Sequence, residues 1–277
     1  MCLDSIKFLK LIFLITLLNS EPLMFEYQAP KNLLQDKKIL VTGAGDGIGR
    51  TAALMFAKYG ATVILLGRTV SKLEEVYDQI EANGGPKPAI IPLNLEGAAE
   101  KDYDDVAVSI ENEFGKLDGI LHNAALLGSL TTLEQYEVPV WNQLMQVNVT
   151  APFMMTRALI PLLRLSDDAS IIFTSSSVGR KGKAFWGAYS VSKFANEGMM
   201  QVLADELDDE QHNVRVNSIN PGATRTNMRA SAYPAENPLH NPTPEEIMPV
   251  YLYLMGETSK GITGQAFDAQ SNTQKAE

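Results

Sequence analysis

The sequence predicts an α/β fold with a single doubly wound parallel sheet and helices on both faces. From Lys38 onward, short apolar segments alternate with longer amphipathic ones, the order that builds parallel β-α-β units. The short segments are continuously apolar rather than alternating, as expected of strands buried on both faces. A length of 277 residues with 45% apolar residues suits one such domain, which we predict at residues 24–277.

The predicted strands and helices follow one another along the chain. A first strand at residues 39–42 leads into a helix from Gly47 to Tyr59, which Gly60 ends. Further strands are predicted at residues 62–66, 89–93, 119–122, 169–174, 214–219 and 265–268. Further helices are predicted at residues 71–83, with Ser71 as the N-cap, and at 99–114, 140–163 and 188–207. Pro152 and Pro161 lie within the helix at 140–163, so we expect it to be bent or broken.

Residues 1–23 form a leader outside this domain pattern. Residues 8–18 are apolar but too short to span a membrane as a helix. They resemble the apolar core of a signal peptide, although Asp4 weakens the basic region and no A-x-A site follows. We consider three interpretations, in order of preference: translation from Met24, a membrane anchor and a cleaved leader.

Composition argues against several classes of protein. A net charge of −10 without a Lys/Arg run argues against a nucleic-acid or anionic-membrane partner. The single cysteine, Cys2, excludes an intrachain disulfide and fits a reducing, cytoplasmic compartment. The histidines, His122, His212 and His240, lack the spacing of metal ligands, so we expect no metal site.

Polar and glycine residues gather at the predicted carboxyl ends of the strands. Ligands of open parallel sheets bind along this edge. The residues concerned are Gly43–Gly49, Arg68, Asn94, Asn123, Ser175–Ser177 and Pro221–Thr226. Their coincidence at one edge indicates a ligand site more strongly than any single motif does.

The glycine-rich turn at Thr42–Gly49 predicts a site for a dinucleotide pyrophosphate. Its glycines allow a tight turn and close backbone approach, and the following helix offers N–H groups and partial positive charge. Such a turn alone is a weak signal, since a simple strand-to-helix loop is the alternative. The strand before it and the helix after it favour a nucleotide site.

The end of the second strand bears on the choice of cofactor. An acidic side chain there would bond the ribose 2′-hydroxyl of NAD, whereas Arg68 suits the 2′-phosphate of NADP(H), and Thr69 adds a hydroxyl donor. Asp46 in the glycine-rich turn is a contrary sign, because it places negative charge nearby. A surface arginine without a ligand is the alternative. The sequence thus predicts NADP(H).

Tyr189 and Lys193 lie four residues apart on a predicted helix and share one face. Both side chains can therefore point into one cleft, where an ammonium beside a phenol would lower the tyrosine pKa. Such a tyrosine can exchange a proton with a carbonyl or alcohol oxygen near neutral pH. Alone, this spacing is more often that of a surface pair. The glycine-rich turn upstream is what favours a catalytic role for the two residues.

Together these motifs resemble those of the classical short-chain dehydrogenase/reductases, which have a Rossmann fold. The resemblance covers about residues 36–268 and rests on Thr42–Gly49, Asn123-Ala124, Asn148, Ser175–Ser177, Tyr189-x-x-x-Lys193 and Pro221-Gly222. Within the family, residues 173–180, 194–206, 220–226 and 267–270 look like the bacterial YciK-type oxidoreductases, which are similar to 3-oxoacyl-(acyl-carrier-protein) reductases. The YciK-type start also resembles the segment from Met24.

The resemblance implies a role for each motif residue. Tyr189 would donate a proton to the carbonyl oxygen while hydride arrives from the nicotinamide, and Lys193 would lower the tyrosine pKa and bond the nicotinamide ribose. Ser176 would polarise the carbonyl. Asn148 would kink its helix and hold a water that supplies protons to Lys193. The implied cofactor-binding residues are Thr42, Gly43, Asp46, Gly47, Ile48, Gly49, Arg68, Thr69, Asn94, Leu95, Asn123, Ala124, Tyr189, Lys193, Pro221, Gly222, Thr224 and Thr226.

Three positions depart from the family pattern. Ala125 stands where glycine is usual, Asn94 replaces an aspartate that usually meets the adenine, and residues 268–270 lack the usual final glycine pair. None of these changes removes a catalytic group.

The sequence therefore predicts an enzyme that transfers a hydride between NADP(H) and a carbonyl or secondary alcohol. The expected partners are a small-molecule substrate and a second copy of the chain, as a homodimer or homotetramer. Residues 223–245 form a predicted lid, in which Arg225 and Arg229 could bind an anionic acyl carrier of a 3-oxoacyl thioester. A sugar or a xenobiotic carbonyl is another candidate. A non-catalytic NADP-binding sensor or scaffold is the alternative, and the intact Ser176, Tyr189 and Lys193 disfavour it.

Overall fold

The computed structural model describes residues 23–208 and 213–271. Its strands are β1 (Leu23–Met24), β2 (Lys38–Thr42), β3 (Thr62–Gly67), β4 (Ala89–Pro92), β5 (Gly119–His122), β6 (Ala169–Thr174), β7 (Val214–Asn220), β8 (Ala266–Asp268) and β9 (Gln270–Ser271). Its helices are α1 (Gly47–Lys58), α2 (Val70–Ala82), α3 (Glu100–Phe114), α4 (Val138–Met145), α5 (Ala151–Leu163), α6 (Gly187–Glu206), α7 (Asn227–Ala232) and α8 (Met248–Met255). A π-helical segment, Gln146–Thr150, joins α4 to α5.

The main sheet has seven parallel strands in the order β4-β3-β2-β5-β6-β7-β8. From β2 the chain adds β3 and β4 toward one edge of the sheet. It then returns to the other side of β2 and adds β5 to β8 toward the opposite edge, so the winding direction reverses between β2 and β5. Ligands of such sheets bind at this reversal, outside the carboxyl ends of the strands. The predicted fold class is confirmed.

Apolar side chains cover both faces of the sheet. Ile39 and Val41 of β2 belong to one core cluster, which includes Phe56 of α1. Leu40, between them in sequence, belongs to a second cluster, which includes Tyr103 of α3 and Leu159 of α5. Successive strand residues point to opposite faces, so burial on both sides explains why the strands are continuously apolar.

The predicted N-cap of the second helix is wrong. Helix α2 begins at Val70 with Thr69 as its N-cap, so Ser71 lies inside the first turn and does not cap it. The predicted helix at 140–163 starts slightly earlier, at Val138, and is broken as expected, by the π-helical segment. Pro152 lies in the first turn of α5, directly after this segment, and Pro161 lies inside α5.

A short antiparallel pair, β1 with β9, was not predicted, because strands of two residues carry no periodicity. In the described ranges, no helix is long and apolar enough to cross a membrane. Within the same ranges, no group of three or more His, Cys, Asp or Glu side chains could hold a metal ion. The predictions for the leader up to residue 22, for Cys2 and for His212 fall outside the described residues.

Candidate active site

A cleft of about 440 Å³ runs along the carboxyl ends of β2 to β7. This volume is typical of a small-molecule site. The predicted site residues that line it are Gly43, Asp46, Gly47, Ile48, Arg68, Thr69, Asn94, Leu95, Asn123, Ala124, Ser176, Tyr189, Lys193, Pro221, Gly222, Thr224 and Thr226. The other three, Thr42, Gly49 and Asn148, stand behind its wall.

The glycine-rich turn brings the N-terminus of α1 to one end of the cleft. Asp46 caps the helix, since its Oδ1 accepts the Gly47 N–H at 2.7 Å. A Cβ on Gly49 would lie 2.3 Å from the Gly43 carbonyl oxygen and 2.6 Å from Asn123 Nδ2. Only glycine therefore lets α1 begin so close to β2 and β5, with its N–H groups facing the cleft.

Thr42 supports the site from behind. Its Oγ1 accepts the backbone N–H groups of Asn123 at 3.0 Å and Ala124 at 3.1 Å, and donates to the Leu121 carbonyl at 3.3 Å. These bonds join the ends of β2 and β5, where the winding of the sheet reverses. Thr42 thus holds the two walls of the cleft together.

Two cations lie at the end of the cleft formed by β3 and α2. Arg68 was predicted there, whereas Lys72 was not, although it lies in the first turn of the helix after Arg68. Lys72 Nζ is 2.8 Å from Asp46 Oδ2 and holds the pKa of that carboxyl below its usual range. The negative charge of Asp46 is therefore paired with Lys72, so it no longer argues against NADP(H).

Ser176, Tyr189 and Lys193 meet at the other end of the cleft. Helix α6 presents the tyrosine and the lysine on one face, with Lys193 Nζ 5.6 Å from the centroid of the Tyr189 ring. Lys193 Nζ donates to the Thr174 carbonyl at 2.7 Å. A Cβ on Gly179 would lie 2.6 Å from Lys193 Cβ, so this glycine lets the serine-rich turn lie against α6.

The pKa values of this group differ from the expectation. Burial raises the pKa of Tyr189 to about 12, and interaction with the Ser176 hydroxyl acts in the opposite direction. Burial lowers the pKa of Lys193 to about 8, and the Glu197 carboxylate opposes this shift. The pKa of Tyr189 is therefore raised and not lowered as predicted, because desolvation of the phenolate dominates.

Asn148 lies in the π-helical segment and is buried behind the cleft. Its Oδ1 accepts the Leu126 N–H at 2.8 Å, and its Nδ2 donates to the Leu126 carbonyl at 2.9 Å and to Ser192 Oγ at 3.0 Å. The side chain therefore ties the loop after β5 to α6. Its proposed water and proton supply to Lys193 stay a prediction.

The predicted lid crosses the cleft as α7 and the turns after it. Asn227 Nδ2 lies 3.3 Å from Asp46 Oδ2, which links the start of α7 to the glycine-rich turn. The Arg225 guanidinium donates to the carbonyls of Pro238 and Asn241, each at 3.0 Å. Arg225 is thus a brace within the lid and does not line the cleft, contrary to the expected role in binding an anionic carrier.

Sequence reasoning also missed an apolar wall beside Tyr189. It includes Leu127 after β5 and Trp186 just before α6. Trp186 could have been found, because a residue three positions before Tyr189 lies on the same side of the helix start. The loop after β5 offered no such signal.

Comparison with known proteins identifies the family. The model of the short chain dehydrogenase family matches residues 37–237. The chain belongs to the short-chain dehydrogenase family. The oxidoreductase YciK of Escherichia coli K12, whose function is uncharacterized, is 54% identical over 244 residues, which cover 88% of this chain and 96% of YciK. The resemblance inferred from the motifs is thus confirmed.

Two solved short-chain dehydrogenase structures extend the comparison. One, from Shigella flexneri 2a in complex with NADP, is 53% identical, with a TM-score of 0.84 over 87% of this chain and 99% of that one. The other, from Escherichia coli CFT073 in complex with NADPH, is 54% identical, with a TM-score of 0.85 over 87% of this chain and 100% of that one.

Proposed function

We propose that this short-chain dehydrogenase uses NADP(H) to interconvert a carbonyl compound and a secondary alcohol. The observation that carries the proposal is the convergence of Ser176, Tyr189 and Lys193 at one end of a cleft whose other end holds a helix N-terminus and two cations. The first group can handle a proton at an oxygen atom. The second can hold a phosphorylated nucleotide.

The residues present fit the cofactor. The N-terminus of α1 and the glycine-rich turn would hold the pyrophosphate, Arg68 and Lys72 the 2′-phosphate, and Tyr189 and Lys193 the nicotinamide ribose. The Ser175 hydroxyl, which also lines the cleft, is buried without a hydrogen-bond partner among the described residues, as expected of a group that faces a polar ligand. The NADP and NADPH complexes of the two related structures support this choice of cofactor.

When bound, the nicotinamide supplies or accepts the hydride, and the side chains manage the proton and the charge. Tyr189 keeps its proton at neutral pH, since its pKa is about 12, and can donate it to an oxygen that becomes strongly basic. The Ser176 hydroxyl donates a hydrogen bond to the same oxygen. Lys193, held by the Thr174 carbonyl, places positive charge beside the phenol as the proton leaves.

The cofactor assignment is tested with Arg68→Ala. This change removes a cation from the proposed 2′-phosphate site, so we expect NADPH affinity to fall by about tenfold or more while NADH affinity changes by less than about threefold. Fluorescence titration of the purified protein with both cofactors measures this. Arg164→Ala, a change at an exposed arginine that caps the C-terminal end of α5 and does not line the cleft, serves as the control. Equal NADPH and NADH binding in the wild-type protein would contradict the assignment.

The catalytic assignment is tested with Tyr189→Phe. Loss of the hydroxyl removes the proton donor, so turnover with NADPH should fall by about a thousandfold. NADPH binding should weaken far less, because Tyr189 is one of several proposed cofactor contacts. Steady-state assays against a panel of ketones and aldehydes measure the effect. Unchanged turnover in the variant would contradict the proposed role of Tyr189 as proton donor. A wild-type protein that binds NADPH but reduces no carbonyl would favour the sensor alternative.

A further inference from the structure

We propose that the substrate end of the cleft accepts a neutral, apolar carbonyl compound, with a ring or bulky hydrocarbon beside the carbonyl, and disfavours anionic substrates. This inference rests on the proposed function, because it names the substrate class of the same site. It also replaces the acyl-carrier interpretation, in which Arg225 and Arg229 bind an anion.

The wall beside Tyr189 is apolar. Leu126 and Leu127 come from the loop after β5, Trp186 precedes α6, and Met228 comes from α7. All four pack against a hydrophobic cluster that contains Tyr189 itself. The Tyr189 hydroxyl, the proposed proton donor, therefore lies in poorly hydrated surroundings. A carboxylate or phosphate on the substrate would lose its water there, which is costly without a countercharge.

Trp186 gives this wall a flat surface. Its ring centroid lies 5.7 Å from that of Tyr189 and 5.9 Å from that of Tyr233 in the lid. The indole therefore reaches from the proposed proton donor to the lid and remains half-buried. Aromatic and aliphatic groups pack favourably on such a surface, and their burial is the main available source of binding energy.

The cations that line the cleft already have partners or lie at its far end. Arg68 and Lys72 lie at the β3 end, and Lys193 is bonded to Thr174. Arg229, the remaining one among the described lining residues, is held by the lid. Its Nε and Nη2 each lie 2.6 Å from a carboxylate oxygen of Glu236.

The pairing of Arg229 is reinforced from two sides. Its guanidinium carbon lies 3.8 Å from the centroid of the Tyr233 ring, a cation–π contact. Glu236 also accepts a hydrogen bond from Asn241 Nδ2 at 2.8 Å. The bidentate pair with Glu236 occupies the Nε and Nη2 sides of the planar guanidinium and neutralises its charge, so Arg229 offers a substrate anion little net attraction. The positive charge of Arg229 is thus paired within the lid, with Glu236, and does not attract a substrate anion.

The test compares two ketones of the same shape, acetophenone and para-acetylbenzoate, which differ by one carboxylate. With NADPH and the wild-type protein, we expect kcat/KM to favour acetophenone by about tenfold or more, because the carboxylate finds no free countercharge. Trp186→Ala should raise KM for acetophenone with a smaller change in kcat. Equal or better reduction of para-acetylbenzoate overturns the proposal.

A variant of the lid sharpens the comparison. Glu236→Gln releases Arg229 from its carboxylate, so kcat/KM for para-acetylbenzoate should rise by about threefold or more relative to acetophenone. Arg164→Gln, remote from the cleft, should leave the ratio unchanged. If Arg229→Gln selectively weakens reduction of para-acetylbenzoate in the otherwise wild-type protein, then Arg229 already serves anions and the proposal fails.

Binding separates this inference from the proposed function. Trp141→Phe leaves Trp186 as the single tryptophan, so its fluorescence reports occupancy of the apolar wall in the complex with NADP+. If neither ketone is reduced, the proposed function fails for this class. Quenching by acetophenone at lower concentration than by para-acetylbenzoate would still support the apolar site, and equal or absent quenching would overturn it.

Discussion

Single residues in the cleft owe their chemistry to burial and to their partners. Tyr189 and Lys193 were expected to lie together with the tyrosine pKa lowered. Burial instead raises the pKa of Tyr189 and lowers that of Lys193, so it favours the neutral form of both groups. Sequence spacing places both groups on one side of a helix, but it says nothing about how dry that side is. The desolvation follows from α6 packing against the end of β6, a tertiary contact that the spacing of Tyr189 and Lys193 does not reveal.

The pH dependence of the reduction follows from Lys193. A buried lysine with a pKa of about 8 is charged below that pH and neutral above it, while Tyr189 stays protonated throughout. If the ammonium assists proton release, kcat/KM for reduction with NADPH should be highest below about pH 8 and fall as the pH rises. Lys193→Arg should move that fall to higher pH, because a guanidinium stays charged. A flat wild-type profile to about pH 10 would contradict this role.

Lys72 illustrates the same point at the cofactor end. The sequence shows Asp46 as an isolated negative charge near a proposed phosphate site, which argued against NADP(H). In the fold, α2 brings Lys72 to the glycine-rich turn and pairs it with Asp46. Because the pairing joins residues from two different β-α units, no local pattern could reveal it.

At the scale of elements, sequence patterns located most helices and strands and predicted a break in the helix at 140–163, but not the π-helical form of that break. The strands were predicted well because each is a short, buried apolar run between turn residues. The π-helical segment around Asn148 interrupts what reads as one long apolar helix, since an added residue in a turn leaves no mark on hydrophobic periodicity. Its bonds to the loop after β5 make it a positioning element of the cleft wall.

Strand β5 carries a buried histidine with a predicted effect on stability. His122 Nε2 lies 2.8 Å from Thr156 Oγ1, its ring stacks on Phe173 at 4.9 Å, and burial lowers its pKa to about 3. The unfolded chain binds a proton below about pH 6.5 and the folded chain does not, so stability is lost as the pH falls through this range. At pH 5 we expect a loss of roughly 2 kcal/mol relative to pH 7 from this residue.

Urea unfolding at the two pH values measures this contribution. His122→Gln, which keeps a polar partner for Thr156 but cannot gain a proton, should show a shallower dependence on pH than the wild type. His240→Gln, a change at an exposed histidine, is the control and should keep the wild-type slope. An identical slope in His122→Gln would show that other groups cause the loss of stability in acid.

At the scale of the whole molecule, a buried ion pair joins the second half of the sheet to the C-terminal helix. Arg215 of β7 donates to both carboxylate oxygens of Asp168, at 2.9 Å and 3.2 Å. The same guanidinium donates to the carbonyls of Leu254 at 2.9 Å and Gly256 at 3.2 Å, at the end of α8. One side chain of β7 thus satisfies groups from two other segments that are far apart in sequence.

Breaking this pair should destabilise the protein. Asp168→Asn leaves the buried Arg215 charge without its counterion, so we expect the free energy of unfolding to fall by about 3 kcal/mol or more. Replacing both residues, as Asp168→Leu with Arg215→Met, should cost less than the single change, because the buried guanidinium is removed together with its counterion. Only the partly exposed Lys37, whose Nζ lies 3.6 Å from Asp168 Oδ2, then loses a partner. Asp105→Asn, which breaks the exposed pair of Asp105 with Lys101, should change stability by less than about 1 kcal/mol. Urea denaturation compares the four proteins, and a larger loss in the double variant would refute the argument.

The sequence by itself determined the fold class, the strands and the edge of the sheet where the site lies. These depend on the periodicity of short segments and on the handedness of β-α-β units. Both follow from residues that are close together in the sequence. Only the tertiary structure decided which charges are paired, how dry the Tyr189 surroundings are and that Arg225 and Arg229 serve the lid. Those properties arise from contacts outside any one helix or strand, some within the lid and some between separate β-α units. There, burial and partners, rather than residue type, set the chemistry of a side chain.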